Sequence, residues 1–199
     1  MKLIGGRHSP FVRRIAMVLE ALGHDYEEEV VRTVEDGELI RRYNPVGRVP
    51  NLVLDDGRVI IDSHAILDYL ERHRPESSTL FPQREDDRMA MLFADAVGIA
   101  GIEKLVLWFY EKTRRDASLR CATTIMGFET QIAEALQWLS EHCNENAYVC
   151  GDDMTLADIT ATSLVNTLAA VAPELLADEQ SSPVQAVAAR VSQRLQAAN

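Results

Sequence analysis

The sequence predicts two unlike parts in tandem, an α/β layer followed by an all-α domain. Three observations predict this. Residues 1–75 mix brief apolar runs with helical patterns in the order β-α-β-α-β-β-α. The stretch Arg74-Pro75-Glu76-Ser77-Ser78-Thr79-Leu80-Phe81-Pro82 is polar and bounded by proline, as a connector is. Beyond it the apolar period is helical to the last residues. The organisation read from this is an α/β domain over 1–75, a linker over 76–84 and a helical domain over 85–199.

Lys2–Gly6 reads as a short strand closed by the pair Gly5-Gly6. A helix then runs from Ser9 to Gly23, with Ser9 suited to the N-cap, Pro10 to the first helical position and Gly23 to the end. Its apolar residues at 11, 15, 18, 19 and 22 keep the spacing of one helical face. Tyr26–Val31 reads as a strand with an acidic exposed side, and Glu38–Tyr43 as a short helix before the turn Asn44-Pro45-Val46-Gly47. Val49–Leu54 and Val59–Ile61 flank Asp55-Asp56-Gly57, a hairpin signal. Asp62–His73 is a third helix, opening on Asp62 or Ser63. The helices of the second part are Glu85–Arg114, Leu119–Cys143, Thr155–Val171 and Pro183–Ala198, the first carrying a Gly98/Gly101 pair read as a bend. Thr155-Leu156-Ala157-Asp158 matches a capping box with Met154 and Ile159 in staple positions, a device for folding rather than chemistry.

The composition, 47% hydrophobic and 26% charged, belongs to a chain able to bury a core. No apolar run approaches the roughly 20 residues of a membrane span. The first eight residues lack the apolar stretch of a secretory leader. Three cysteines, Cys121, Cys143 and Cys150, with no C-x-x-C, point away from a disulfide scaffold or zinc ribbon and toward a reducing cytoplasm. A net charge of −11 excludes a broad nucleic-acid footprint, which needs a basic face. Residues 1–75 hold 11 basic and 13 acidic side chains, a net of −2, and the remainder 9 and 18, a net of −9. A small anion therefore finds its partners in the first part, and the acidity of the second is a solvated surface.

Conventional catalytic signals are absent: there is no G-x-S-x-G, H-E-x-x-H or phosphate-binding loop, and the five histidines lack metal-ligand spacing. His8 beside Ser9 does not make a nucleophile pair, since neighbouring side chains rarely face each other. A different constellation carries information. Ser9 lies at the junction of the first strand and first helix, Val49-Pro50 opens the third strand, and Asp62-Ser63 opens the third helix. One strand end and two helix N-termini would surround a cleft with orphan N–H groups and positive dipole ends, a setting for carboxylates and a thiolate. Pro50 at a strand start is a candidate for a cis bond, which would turn the Val49 peptide groups toward a bound peptide.

Ser9-Pro10-Phe11-x-x-Arg14, then Asn44-Pro45-x-Gly47-x-Val49-Pro50-x-Leu52, then Asp62-Ser63-x-Ala65-Ile66, resembles the bacterial, serine-type glutathione S-transferases, and Thr155–Asp158 is similar to that family's helical-domain capping box. The resemblance covers essentially the whole chain. It implies a thioredoxin-like N-terminal domain, an all-α C-terminal domain, a homodimer, and glutathione as co-substrate with no metal. It implies that Ser9 activates the glutathione thiol, that Val49 before Pro50 pairs with the cysteinyl backbone, and that Asp62 and Ser63 hold the γ-glutamyl group. Arg48 would meet the glycyl carboxylate, and Phe11 belongs to the same set. The family often has Glu where this chain has Asp62 and Lys where it has Arg48. Ser9 can also be read as an N-cap alone, Asp62-Ser63 as a helix cap alone, Arg48 as a solvated surface arginine and Arg14 as a structural ion-pair member.

The function implied is conjugation of the glutathione thiolate to an electrophilic apolar substrate, in the manner of a cytoplasmic detoxification enzyme. Its alternatives are a non-catalytic interaction module of the same fold and a glutathione-dependent isomerase or peroxidase. No cysteine precedes Cys121, which argues against thiol transfer, and Cys143 and Cys150 read as buried or incidental thiols. Trp108, Phe109 and Tyr110 read either as core or as the lining of a pocket for the hydrophobic co-substrate. Neither nucleic acid nor membrane is an expected partner.

Overall fold

The structure, a computed structural model, describes residues 1–143 and 147–198. It divides into two compact units, one over Met1–Ser78 with the chain end from Arg194, the other over Thr79–Gln193.

The first unit is a four-stranded mixed sheet with helices. In chain order its elements are β1 (Lys2–Ile4), α1 (Pro10–Ala21), β2 (Glu27–Glu29), α2 (Gly37–Ile40), β3 (Asn51–Val53), β4 (Val59–Ile61) and α3 (Ser63–Arg72). The spatial order is β2-β1-β3-β4, with β1 parallel to β2 and antiparallel to β3, and β3 antiparallel to β4. Ile4 packs with Val31 and Ile40 on the α2 side of the sheet. Leu3 and Leu52, opposite each other in the register and wholly buried, alternate to the other face. There α1 and α3 pack together through an apolar stripe that includes Ile15, Leu19, Ile66 and Leu70. Gly23, at φ +70°, stops α1 in a conformation that favours glycine. Gly57, at φ +84°, closes the hairpin, helped by the Asp56 carboxylate accepting from the Arg58 N–H at 3.0 Å.

The α2 helix is shorter than the sequence pattern suggests, Gly37–Ile40 against the predicted Glu38–Tyr43. Past Ile40 the chain tightens into i→i−3 bonds, the Arg42 N–H donating to the Leu39 carbonyl at 3.1 Å and the Tyr43 N–H to the Ile40 carbonyl at 2.9 Å.

The second unit comprises α4 (Glu85–Thr113), α5 (Ala122–Cys143), α6 (Leu156–Val171) and α7 (Ser182–Ala198), whose last residues fall with the first unit. Short 3₁₀ turns occur at Ala117–Leu119, Pro173–Leu176 and Glu179–Ser181. Leu80 and Phe81, within the stretch read as linker, are buried. The Leu80 carbonyl accepts from the Leu156 N–H at 3.0 Å, and the Thr79 hydroxyl donates to the Met154 carbonyl at 2.8 Å. Two apolar side chains in sequence favour docking over exposure.

Gly98 and Gly101 do not break α4, which is one 29-residue helix. Their role is close approach. A methyl group on Gly98 would lie 2.8 Å from the Thr160 methyl, and one on Gly101 would lie 2.8 Å from Leu164 and 3.2 Å from Ala135. Beside Gly98, the buried Asp95 carboxylate accepts from the Thr160 hydroxyl at 2.5 Å, which holds Thr160 in its rotamer.

The start of α6 is fixed by Asp158, a wholly buried carboxylate. It accepts from the Val149 N–H at 2.8 Å, the Thr155 N–H at 2.7 Å and the Thr155 hydroxyl at 3.0 Å. Met154 and Ile159, the staple positions, are both buried. Asp158→Ala would leave three buried donors without an acceptor, at about 1–3 kcal/mol each before relaxation. The variant is expected to lose about 3 kcal/mol or more of stability, read as a lower urea midpoint at unchanged m-value.

Candidate active site

The candidate residues meet through strand register. Ile4 pairs with Asn51, and Asn51 pairs with Ile61. These three residues form one row at one end of the sheet, spanning about 10 Å at the usual strand spacing. The chain leaves β1 from Ile4 toward Ser9, enters β3 at Asn51 from Val49-Pro50, and leaves β4 from Ile61 into Asp62-Ser63. The fold therefore delivers all three segments to the same end.

Contacts tighten this corner. Gly5, at φ +136°, carries β1 into the loop before α1. A methyl group there would fall 2.5 Å from Val12 and 3.2 Å from the Val49 Cβ, so only glycine lets the strand exit, the first turn of α1 and Val49 converge. The Val49–Pro50 bond is cis, and Pro50 is buried. Arg48 reaches the Asp62 carboxylate at 3.5 Å, linking the loop before β3 to the start of α3.

Ser9 occupies the N-cap position of α1 with extended backbone, φ −77° and ψ 124°. Its carbonyl accepts from the Arg13 N–H at 2.9 Å, as an N-cap carbonyl does. Its hydroxyl makes no capping hydrogen bond and has no partner among the described residues. Neither peptide group of Val49 is hydrogen-bonded among the described residues. Ser63, the first residue of α3, is buried, and its hydroxyl is likewise without a partner among them. Asp62 is the N-cap of α3, accepting from the His64 N–H at 2.9 Å, and its φ of +73° is a left-handed conformation that costs a non-glycine residue about 1–3 kcal/mol. Phe11 is half-buried in the first turn of α1. Arg14, in the same helix, is wholly buried. His8 is exposed, and its ring folds over Gly6. One end of the sheet thus presents two serine hydroxyls, a peptide edge and an arginine–carboxylate pair, with two helix N-termini behind them.

The family model for the glutathione S-transferase N-terminal domain matches residues 8–73, and that for the C-terminal domain matches residues 121–194, together more than half of the chain. The chain belongs to the glutathione S-transferase family. A probable maleylacetoacetate isomerase from Caenorhabditis elegans is 29% identical over 155 residues, 76% of this chain and 70% of that protein. A glutathione S-transferase from Methylobacterium radiotolerans, crystallised with glutathione sulfonate, is 26% identical with a TM-score of 0.86 over 98% of this chain and 90% of that one. A glutathione transferase family member from Pseudomonas fluorescens Pf-5, with bound glutathione, is 25% identical with a TM-score of 0.86 over 97% of this chain and 94% of that one. The mixed sheet of the first unit is accordingly the thioredoxin-like domain of this family and the helical unit its C-terminal domain.

Two further residues support the site, and sequence reasoning passed over them. The buried Asn44 and Asn51 side chains form a closed network under the Arg48–Val49 loop. Asn44 Nδ2 donates to the Arg48 carbonyl at 2.8 Å and to Asn51 Oδ1 at 2.6 Å, and Asn51 Nδ2 donates to the same carbonyl at 2.9 Å. Asn44 Oδ1 accepts from the Val46 and Arg48 N–H groups at 3.1 and 3.2 Å. The sequence signals were Asn44 in a turn and at the head of the second family motif; Asn51 reads as an ordinary polar strand residue.

Among the described residues no cluster of three or more His, Cys, Asp or Glu side chains could hold a metal ion. The three cysteines belong to the second unit. Burial pushes the Cys143 thiol up to about 12 and the Cys150 thiol up to about 11, which makes both unreactive at neutral pH. Cys121 is exposed, and hydrogen bonding by Thr124 holds it below the ordinary thiol range. Trp108 is core: it is buried, its Nε1 donates to Glu129 at 2.8 Å, and the Lys112 ammonium lies 4.3 Å from its ring centre. Phe109 is half-buried and Tyr110 exposed.

Asn51→Ala would remove one donor to the Arg48 carbonyl and leave an Asn44 donor without its acceptor. A loss of about 2 kcal/mol is expected in chemical denaturation. Faster amide exchange over residues 46–48 in the folded state would locate the effect in this loop.

Proposed function

We propose that this protein is a serine-type glutathione transferase in which Ser9 stabilises the thiolate of bound glutathione. The observation that carries this reading is the Ser9 hydroxyl, set at the N-terminus of α1 and engaged neither as a cap nor elsewhere among the described residues. A free thiol has a pKa of roughly 8.5, so only a few per cent is ionised at neutral pH. A hydroxyl donor and a helix N-terminus both favour the anion, and each unit of lowering corresponds to about 1.4 kcal/mol. Ser9 acts as a donor, while water takes the proton.

In this reading the open peptide edge of Val49 pairs with the cysteinyl backbone of glutathione, as a two-bond β-augmentation. Asp62 and the Ser63 hydroxyl receive the γ-glutamyl ammonium and carboxylate, and Phe11 lies beside the tripeptide. Arg48 serves the glycyl carboxylate. Its present pairing with Asp62 is no obstacle, because the Arg48 side chain is 65% exposed and the pair is 3.5 Å apart. Such surface pairs contribute about 0–1 kcal/mol, less than a bidentate guanidinium–carboxylate contact. The thiolate then attacks an electrophilic carbon of an apolar substrate: the C–S bond forms from the sulfur lone pair, and the leaving group departs with its bonding pair. Removal of reactive electrophiles in a reducing cytoplasm suits a chain whose cysteines are all free.

Similarity to a probable maleylacetoacetate isomerase supports a second reading on the same site. There the thiolate adds to a conjugated double bond, the resulting single bond rotates, and expulsion of the thiolate restores the alkene in its other geometry. Conjugation consumes glutathione and isomerisation does not, so thiol titration during turnover separates the two.

Calorimetry should show glutathione binding to the wild-type protein. Ser9→Ala is expected to lower kcat with a generic aryl halide by about 10- to 100-fold, the worth of one hydrogen bond to an anion, with KM for glutathione changed little. Unchanged activity in Ser9→Ala would remove Ser9 from its role.

The enzyme is further proposed to be a homodimer. A groove of about 320 Å³ between α4 and α5 is lined by Phe93, Val97 and Trp138 with Lys104, Gln131 and Glu134. Phe93 is 60% exposed with its ring 5.1 Å from that of Trp138, and Met89 and Leu92 are exposed on the same helix. Exposed apolar side chains beside a groove with polar walls support a contact with a second copy. Light scattering is expected to give twice the chain mass of 22.2 kDa, and Phe93→Asp to give the monomer.

A further inference from the structure

We propose that Arg7 is a positioning residue, whose guanidinium clamps the glycine-rich loop between β1 and α1 and so fixes the Ser9 hydroxyl where glutathione sulfur must lie. The inference rests on the glutathione reading of the site and adds to it a residue that touches neither glutathione nor the reacting atoms.

The loop needs such a device. Gly5-Gly6 gives it more backbone freedom than any other residue pair would. Its own backbone ties are the Gly5 N–H to the Glu29 carbonyl at 3.0 Å and the Ser9 N–H to the Gly6 carbonyl at 2.9 Å. Ser9 follows Arg7 by two residues, so motion at Arg7 reaches the hydroxyl directly.

Arg7 ties the loop to two rigid elements at once. Its Nε donates to Glu28 Oε1 on β2 at 2.7 Å, and its Nη2 donates to Glu20 Oε1 on α1 at 2.5 Å and to the Tyr26 hydroxyl at 2.8 Å. The Tyr26 oxygen lies 3.2 Å from both carboxylates and closes the ring of contacts. Glu20 is 13% exposed, Glu28 26% and Arg7 43%, so the carboxylates are partly withdrawn from water while the guanidinium keeps one edge in it. Burial opposes the Arg7 charge, but the hydrogen bonds to Glu28 and Glu20 outweigh it and raise the guanidinium above its ordinary range. Burial, then the Glu20 charge, raises the Tyr26 phenol, so Tyr26 remains a neutral donor at neutral pH. Two carboxylates and one phenol around a planar fork suit arginine and not lysine, because the fork presents several fixed donors and the ammonium is a single point charge.

The clamp predicts a separation of binding from activation. Ultraviolet thiolate absorbance of the glutathione-saturated protein, titrated against pH, is expected to show the bound thiol about one unit higher in Arg7→Ala than in wild type, a tenfold loss of thiolate at a given pH. The Kd for glutathione, measured well below the pH at which the bound thiol ionises, should stay within about threefold. Arg7→Lys and Tyr26→Phe should fall between, and they decide the matter if Arg7→Ala does not fold. Amide exchange at Ser9 and Arg13, measured without glutathione, is expected to quicken at least tenfold in the variants. An unchanged thiol titration in folded variants, a Kd that weakens as much as the titration shifts, or unchanged exchange would overturn the clamp. Absence of glutathione binding by the wild type would overturn the proposed function instead, and the exchange experiment would still decide whether Arg7 holds the loop.

Discussion

The register that sets Ile4, Asn51 and Ile61 in one row is the constraint on which the rest of the first unit depends. It fixes where three loops leave the sheet and hence which residues can meet. A slip of β3 by one residue would turn every side chain of that strand to the other face. Asn51 would leave Asn44 and the Arg48 carbonyl, and its amide would enter the apolar layer between the sheet and α1 and α3. The loss of buried hydrogen bonds and the burial of an amide without a partner would each cost a few kcal/mol. The polar network is therefore both the product of the register and a reason for it.

At that end of the sheet the chain departs from local optimality in several ways. A serine at an N-cap ordinarily turns its hydroxyl back to an amide of the first turn, for about 1 kcal/mol of stability. Ser9 does not. The Ser63 hydroxyl, on a buried residue, stays open to solvent and has no partner among the described residues. Asp62 holds a positive φ without being glycine. The missing cap and the positive φ each cost on the order of 1 kcal/mol or more, and both lie in one corner with the open Ser63 hydroxyl. Departures that cluster in this way are characteristic of sites that complete their hydrogen bonding with a ligand.

How much of this was legible in the sequence depended on the distance over which the deciding interaction acts. The Asp55-Asp56-Gly57 hairpin, the Pro10 and Gly23 ends of α1 and the Thr155–Asp158 cap were readable because each is settled within a few residues. The roles of Gly98 and Gly101 were not. In sequence they look like a weakness in a long helix, and their meaning comes from Thr160 and Leu164, about 60 positions away, which need the space. Arg7 was invisible for the same reason: its partners stand 13, 19 and 21 residues along the chain. The α2 helix was overextended because its apolar spacing continues to Tyr43, whereas the backbone has already tightened into i→i−3 turns at Arg42 and Tyr43.

On the proposed reading, a division between binding and activation follows from how this corner is built. The peptide edge at Val49 and the start of α3 belong to segments anchored by the sheet and by the buried asparagines, so they are preorganised whether or not Ser9 is in place. Ser9 belongs to a separate segment that enters α1 through a glycine pair. On the proposed reading, glutathione could be held by the first set while its sulfur is governed by the second, and the two can vary independently. A hydrogen bond from a hydroxyl to sulfur depends steeply on distance and angle, whereas a carboxylate held near an ammonium tolerates displacement. Looseness in the β1–α1 loop would therefore be felt first in thiol ionisation and only later in affinity. On the same reading, a guanidinium with three side-chain partners stands two residues before the serine, on the segment where geometry matters most.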